Sequence, residues 1–341
     1  MTFKGGLISY TESQPIPIMK LEKILVPVEK QLSSLEKALK EALSSDSALI
    51  FEVSKHLLNG KGKRLRPSLV FLCSRMCGNI NKDVTKVAMA IDLIHNATLL
   101  HDDVIDQSST RRGQASVNYQ WNNLVSVLMG DYILSKAFKI LNQTESFELL
   151  NCVSKVAERL SAGELKQVQE SGNYRLDERS YLKIIEDKTA SLFSVSCAGA
   201  GIVTNTVKDK IKQLSQYGHN LGMAFQIVDD VLDFVGETQK TGKGLGNDLK
   251  EGKATLPLIY TLRQTDSATR KRMIGLLEGD FNHRDFIKIL SLVKEHGGLE
   301  YAKWRAEIFG QKALSCLSAF VDSPYKKSLT DMVEFAVNRD R

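Results

Sequence analysis

From Asn79 to Arg112 the chain carries no proline and no glycine, and its apolar residues recur at helical spacing. That pattern predicts a long helix from about Asn81 to Ser108. Near its end stands Leu99-Leu100-His101-Asp102-Asp103-Val104-Ile105-Asp106. On a helix, Asp102 and Asp106 share a face, and Asp103 is turned about 100° away. Like charges at that spacing weaken a helix by roughly 0.2–0.5 kcal/mol per pair, and a divalent cation reverses the sign of the effect. The same spacing returns at Asp229-Asp230-Val231-Leu232-Asp233, again in an apolar segment. Two acidic clusters of one spacing on two helices point to a shared cavity that holds hard metal ions between them.

Composition agrees with a helical protein. Of 341 residues 43% are hydrophobic, and only 6 are Pro and 23 Gly. Leu, Lys, Glu and Ala fill long stretches, so the expected class is all-α with a sizeable core. Residues 1–18, with Gly5, Gly6, Pro15 and Pro17, read as a loose N-terminal arm, and no linker divides 19–341, which reads as a single domain. A net charge of +6 does not indicate nucleic acid, and suits small anions where the positive charge is local. Cys73, Cys77, Cys152, Cys197 and Cys316 form neither a disulfide framework nor a zinc set. Buried free thiols in a reducing, cytoplasmic compartment are expected. The N-terminus lacks a charged segment followed by a long apolar one, and no run of ~18 apolar residues occurs, so any membrane contact is expected to be peripheral.

Helical patterning starts near Lys20 and runs to Leu43, and a second helix ends at Leu58. Asn59-Gly60-Lys61-Gly62-Lys63-Arg64-Leu65-Arg66-Pro67 follows. Two glycines free the backbone of this stretch, and four cations fall within six positions. Such a loop at a helix start can hold phosphate, since N-terminal amides add positive potential; the alternative is a solvated basic turn. His95 stands seven residues before Asp102, about two turns, and so faces the same side, although a lone His on an apolar face is more often a core residue. Arg111-Arg112-Gly113 closes the segment. Guanidiniums that close to metal-binding acids suggest a diphosphate bridging both.

Further helices are expected from about Asn118 to Leu141, Ser146 to Gln169, Leu176 to Ile202 and Val207 to Val235. Gly163 is expected to interrupt the second of these, and Glu186-Asp187-Lys188-Thr189 opens a run of small residues in the third. Phe225-Gln226 precedes the second acidic cluster. The Gly-rich loop Thr241–Asp248, with Lys243 inside it and Lys253 after it, has no upstream strand, so it is neither a P-loop nor a dinucleotide fingerprint. Residues 266–341 read as amphipathic helices that carry no chemistry of their own.

These motifs, in this order, resemble those of the trans-isoprenyl (polyprenyl) diphosphate synthases, prenyltransferases of isoprenoid biosynthesis, and of their long-chain type in particular. The resemblance runs from about Lys20 to the end. Gly62-Lys63-Arg64-Leu65-Arg66-Pro67 matches the family's Gly-Gly-Lys-Arg-x-Arg-Pro except that Lys61 replaces the first glycine. Both aspartate-rich motifs, Arg111-Arg112-Gly113, Lys188-Thr189 and Phe225-Gln226 match as well. The resemblance implies one large helical bundle of the isoprenoid synthase type around a deep central cavity, usually homodimeric. It implies 1'-4 head-to-tail condensation of isopentenyl diphosphate onto an allylic diphosphate.

The same resemblance implies that Asp102, Asp106 and Asp229 hold three magnesium ions, with Asp103, Asp230 and Asp233 completing the two catalytic motifs. Arg111, Lys188, Thr189, Gln226, Lys243 and Lys253 fall to the allylic diphosphate, with Thr189 and Gln226 lining the reaction centre. Lys63, Arg66, His95 and Arg112 fall to isopentenyl diphosphate. The physics is coherent: diphosphate leaves only once its charge is neutralised, and the resulting allylic cation must be shielded from water. No side chain stands out as the base, and the resemblance implies that the released diphosphate is the proton acceptor. Ala97, five residues before Asp102 and so about 7.5 Å along the axis, and Thr98 beside it leave room where short-chain members carry an aromatic ring. That implies a heptaprenyl to decaprenyl product, suited to quinone side chains and to release at a membrane surface.

Other readings compete. A short-chain farnesyl or geranylgeranyl synthase shares every motif but the open position at Ala97. A terpene cyclase of the same fold replaces the second aspartate cluster, which is intact here. A helical metal-dependent phosphohydrolase, suggested by His101-Asp102, needs further metal-binding His with acidic partners. A non-catalytic partner subunit loses the aspartates, and all six are present.

Overall fold

The computed structural model describes residues 20–60, 62–78, 80–235 and 245–339. The expected arm over 1–18 lies outside them. The first expected helix is instead α1 (Leu21–Leu25), a 3-10 turn (Val26–Val28) and α2 (Glu29–Ala42). Pro27 lacks the amide that a continuous helix would use there. Next come α3 (Ala48–Asn59), α4 (Leu65–Met76) and α5 (Lys82–Ile105). The side chain of Asn81 accepts the amides of Asp83 and Val84 and so fixes the start of α5.

The segment after α5 is a small hairpin. Thr110–Arg111 (β1) pairs antiparallel with Gln114–Ala115 (β2). The turn between them is made by Arg112 and Gly113, both at positive φ (53° and 76°). Then follow α6 (Val117–Gln120), α7 (Asn123–Asn142), α8 (Phe147–Gln169) and α9 (Glu178–Ile185). A π turn (Glu186–Ala190) leads into α10 (Ser191–Val203), and α11 spans Lys208–Val235. The C-terminal part comprises α12 (Asn247–Lys250), α13 (Leu256–Gln264), α14 (Ser267–Glu278), α15 (His283–Glu295), α16 (Gly298–Cys316) and α17 (Pro324–Asn338).

The expected break at Gly163 does not occur, because α8 runs through it unbroken. The glycine serves close approach instead. A Cβ there would lie 3.0 Å from both the Asp187 Cβ and the Lys188 amide nitrogen, so only glycine lets α8 touch the π turn.

The all-α reading holds. Helix α5 lies along α7 and α4, α10 is wedged among α4, α8 and α11, and α11 packs on α16. One hydrophobic cluster includes Phe71, Leu93 and Phe193, and another includes Ile259, Phe286 and Phe309. Helix α11 belongs to both, giving Leu214, Tyr217 and Leu221 to the first and Ile227, Val231 and Phe234 to the second. Burial on most sides makes α5 and α11 rigid rods, and they carry the two acidic clusters. Among the described residues no helix is long and apolar enough to cross a membrane.

Candidate active site: two acidic helices and a basic rim

The last turn of α5 divides its aspartates as the helical spacing requires. Asp103 is buried, and the Nε of Arg111 donates to its Oδ1 at 2.8 Å, with Nη2 on the same oxygen. The Nδ2 of Asn118 donates to the Asp103 carbonyl at 3.0 Å, so this residue ties the hairpin to α5. Asp102 and Asp106 lie on the other side. Lys253 Nζ stands 3.1 Å from Asp106 Oδ1 and also meets Glu251. Burial alone would lower the Lys253 ammonium, but those two acids raise it. The Asp102 carboxyl is pushed up to about 6, first by burial; Glu164 and Asp106 add to the rise and Lys188 opposes it. Lys188 Nζ itself sits 2.5 Å from Glu164 Oε2.

The cluster on α11 is used differently. Asp229 is exposed and pairs at 2.9 Å with Arg339, whose guanidinium stacks 3.7 Å from the centre of the Phe225 ring. Asp230 is buried and accepts from Tyr181 Oη at 2.6 Å and from Gln226 Nε2 at 2.8 Å. Burial pushes its carboxyl well above the usual range, with Asp248 adding to the rise; Tyr181 and Gln226 oppose it. Thr189 Oγ1 donates to Gln226 Oε1 at 2.7 Å, so Thr189, Gln226, Asp230 and Tyr181 form one directed chain. Asp233 accepts the amides of Asn247 and Asp248, both at 3.1 Å, and so caps α12.

The cations of the α4 loop separate as well. Arg66 Nη1 donates to His95 Nε2 at 3.0 Å and lies 4.6 Å from the centre of the Phe193 ring. Burial, and then Arg66, Arg112, Arg111 and Arg64, hold the His95 imidazole well below its ordinary value, so it is the neutral acceptor. Arg66 falls to about 10, mainly by burial, and feels both Asp92 on α5 and Asp229 on α11. Arg112 packs on the loop: a Cβ at Gly62 would lie 2.9 Å from its Cζ. Lys63 is exposed, with Nζ 5.8 Å from the centre of the Phe335 ring. Arg64, by contrast, turns inward to Asp92. Ala97 is buried on α5, and Thr98 Oγ1 bonds back to the His95 carbonyl at 2.9 Å. Lys243 lies outside the described residues.

Sequence reasoning missed Asp92, Glu164, Tyr181 and Arg339. Asp92 did leave a signal, since it interrupts the apolar run Ala90-Ile91-Asp92-Leu93-Ile94 that becomes buried helix. The others meet the motifs only through tertiary contact.

The donors fit magnesium. Among the described residues no three acidic, His or Cys side chains form a ready-made metal cage. Magnesium does not need one: it takes one or two carboxylates and completes its shell with water and substrate phosphate. Asp102 and Asp106 offer hard oxygens, and a divalent cation would offset both the burial that chiefly lifts Asp102 and the smaller repulsion from Glu164 and Asp106. The arrangement can hold two anionic groups side by side, one against Asp102, Asp106, Lys188 and Lys253, the other against Arg66, His95 and Arg112.

A family model described as polyprenyl synthetase matches residues 47–293. The octaprenyl diphosphate synthase of Escherichia coli is 35% identical over 324 residues, covering 95% of this chain and 100% of that protein. The all-trans-nonaprenyl-diphosphate synthase (geranyl-diphosphate specific) of Rhodobacter capsulatus is 34% identical and covers 93% and 98%. The crystal structure of a polyprenyl synthase from Caulobacter crescentus, complexed with calcium and isoprenyl diphosphate, superposes with a TM-score of 0.90 at 32% identity, covering 96% of this chain and 100% of that one.

Proposed function

The chain belongs to the polyprenyl synthetase family, and from that premise we propose that it is a long-chain trans-polyprenyl diphosphate synthase, adding isopentenyl diphosphate units to an allylic primer. The observation that carries the reading is the sorting of cations: Lys188 and Lys253 stand with the acids of α5, while Arg66, Arg112 and neutral His95 form a separate rim. Two diphosphates need two such places.

Magnesium, three ions by the family's pattern, supplies charge neutralisation of the departing diphosphate, with Asp102, Asp106 and Asp229 as its holders. Lys188, Lys253 and Arg111 bind the allylic diphosphate, joined by Lys243. Arg66, Arg112, Lys63 and His95 orient isopentenyl diphosphate so that its double bond meets the allylic carbon. The hydrogen-bond chain ending on Asp230 fixes the Thr189 hydroxyl and the Gln226 amide beside the reacting centre. The buried apolar faces of α5, α10 and α11 exclude water from the allylic cation. Ala97 leaves the passage along α5 open to a heptaprenyl to decaprenyl tail.

The residues from 19 onward act as one catalytic domain, since α11 serves both apolar clusters. Helix α7 exposes Leu124, Val127 and Leu128, and α8 exposes Leu165 and Val168, which supports a homodimer across that surface. The enzyme is placed in the cytoplasm, touching the membrane only to release product.

The test is incubation of the pure protein with magnesium, farnesyl diphosphate and labelled isopentenyl diphosphate, followed by sizing of the product. Long products are expected, and Ala97→Tyr should stop after few additions. A wild type that ends at geranylgeranyl diphosphate overturns the long-chain reading, and one that transfers nothing overturns the whole.

A further inference from the structure

One buried carboxylate on α5 belongs to neither cluster of catalytic acids. Asp92, on the inner side of α5, is 3% exposed. Arg64 Nη1 donates to its Oδ2 at 2.5 Å, and Asn96 Nδ2 donates to the same oxygen at 3.2 Å. The Asn96 amide also donates to the Asp92 carbonyl at 2.7 Å, which leaves its Oδ1 turned toward Arg112 Nη1 at 3.4 Å. Asp92 is the acid whose field reaches Arg64, Arg112 and Arg66 together.

Two lines run outward from it. Through Arg64 it fixes the start of α4. Arg64 caps that helix with φ 49°, a left-handed conformation that side-chain-bearing residues rarely adopt, and a short buried ion pair is the kind of contact that holds one there. The second residue of α4 is Arg66, so pinning Arg64 sets the direction from which Arg66 reaches His95. Through Asn96 it holds Arg112. Without the negative charge, three guanidiniums would face one another in a partly desolvated space, where repulsion is strong.

We propose that Asp92 is a positioning residue for the isopentenyl diphosphate subsite, holding Arg66 through Arg64 and Arg112 through Asn96; this rests on the prenyl-transfer reading above. Asp92 touches no substrate. It keeps the basic rim assembled before the diphosphate arrives, so that binding does not have to order three long side chains.

Asp92→Asn keeps the shape and removes the charge. Its apparent KM for isopentenyl diphosphate should rise about tenfold while the KM for farnesyl diphosphate stays within about twofold, and Asp92→Glu should recover part of the loss. Asn96→Ala, at a half-buried position, should raise the same KM about threefold through Arg112 alone. Titration calorimetry with isopentenyl diphosphate should follow the same order in the absence of turnover. The proposal is overturned if both KM values change equally with a fall in Tm, or if Asp92→Asn folds and binds isopentenyl diphosphate as wild type does. Should Asp92→Asn fail to fold, Asn96→Ala decides, and an unchanged isopentenyl diphosphate KM there overturns it. A wild type that transfers nothing to farnesyl diphosphate refutes the underlying function; an active wild type with unaltered variants refutes the role of Asp92 alone.

Discussion

The acidic clusters on α5 and α11 have the same spacing and different employment. In each, the second aspartate is buried, as a helix with one outward face requires. On α5 that residue, Asp103, is bound by a cation, Arg111; on α11 it is Asp230, bound by the neutral donors Tyr181 and Gln226. The third aspartates also diverge, since Asp106 meets Lys253 and Asp233 caps α12. Spacing decides which face each carboxylate takes, and neighbours brought from elsewhere decide what it does there. The α5 cluster turns Asp102 and Asp106 toward the cations Lys188 and Lys253, whereas the α11 cluster spends two of its three acids on structure.

The largest effect should come from the first aspartate of each cluster. Asp102→Ala and Asp229→Ala should abolish product formation at saturating magnesium while circular dichroism at 25 °C stays unchanged; Asp229→Ala should also lower Tm, because it strands the buried Arg339 guanidinium. Near-normal turnover in either variant would remove both from the metal-binding set. Asp103→Ala should behave in the opposite way. It strands Arg111 and loosens the hairpin, which should cost about 2–3 kcal/mol after allowance for the partial exposure of that arginine. Denaturant titration measures this, and a stability equal to that of Asp102→Ala would erase the distinction between the two faces.

The helices α5 and α11, the opposed faces of Asp102 and Asp103, and the order of the motifs were all legible in the sequence, because they follow from local periodicity. The partners were not. Tyr181 and Asp230 are 49 residues apart and Arg339 and Asp229 are 110 apart, and no local pattern announces such pairs. The π turn at Glu186–Ala190 was hidden for a related reason: the glycine that makes room for it, Gly163, lies on another helix and reads in sequence as a break. The hairpin after α5 did leave a trace, since Arg112-Gly113 can take the two positive φ values its turn needs.

Acidity offers a second comparison between the clusters. An ordinary Asp titrates at 3.8, and Asp102 in the folded protein at about 6. Between those values the folded chain binds the extra proton, so without divalent cations its stability should fall as pH rises from about 4 to 6 and then level off. Asp102→Asn should remove that slope and, at pH 7, gain about 2 kcal/mol over wild type. Tm measured against pH with a chelator present tests this. A wild-type profile that rises across the same interval would contradict the sign. Smaller still is Gly62→Ala, whose added methyl displaces only the tip of Arg112. It should raise the KM for isopentenyl diphosphate about threefold and leave the allylic KM alone.

The smallest expected effect separates the two third aspartates. The Asp233 carboxylate accepts two amides at the start of α12, a helix of only four residues that cannot satisfy its own N-terminal amides. Removing a cap of this kind costs about 1 kcal/mol, so Asp233→Ala should lower Tm by roughly 2–4 °C. Asp233→Asn keeps one acceptor oxygen of the two and should recover about half of that loss. Asp106→Ala should change Tm little, since relief of the repulsion on Asp102 offsets the lost ion pair to Lys253, which keeps Glu251, and should raise the magnesium concentration needed for turnover. If Asp233→Ala keeps its Tm and instead needs more magnesium, as Asp106→Ala does, then the third aspartates are equivalent and the capping of α12 is incidental to the part Asp233 plays.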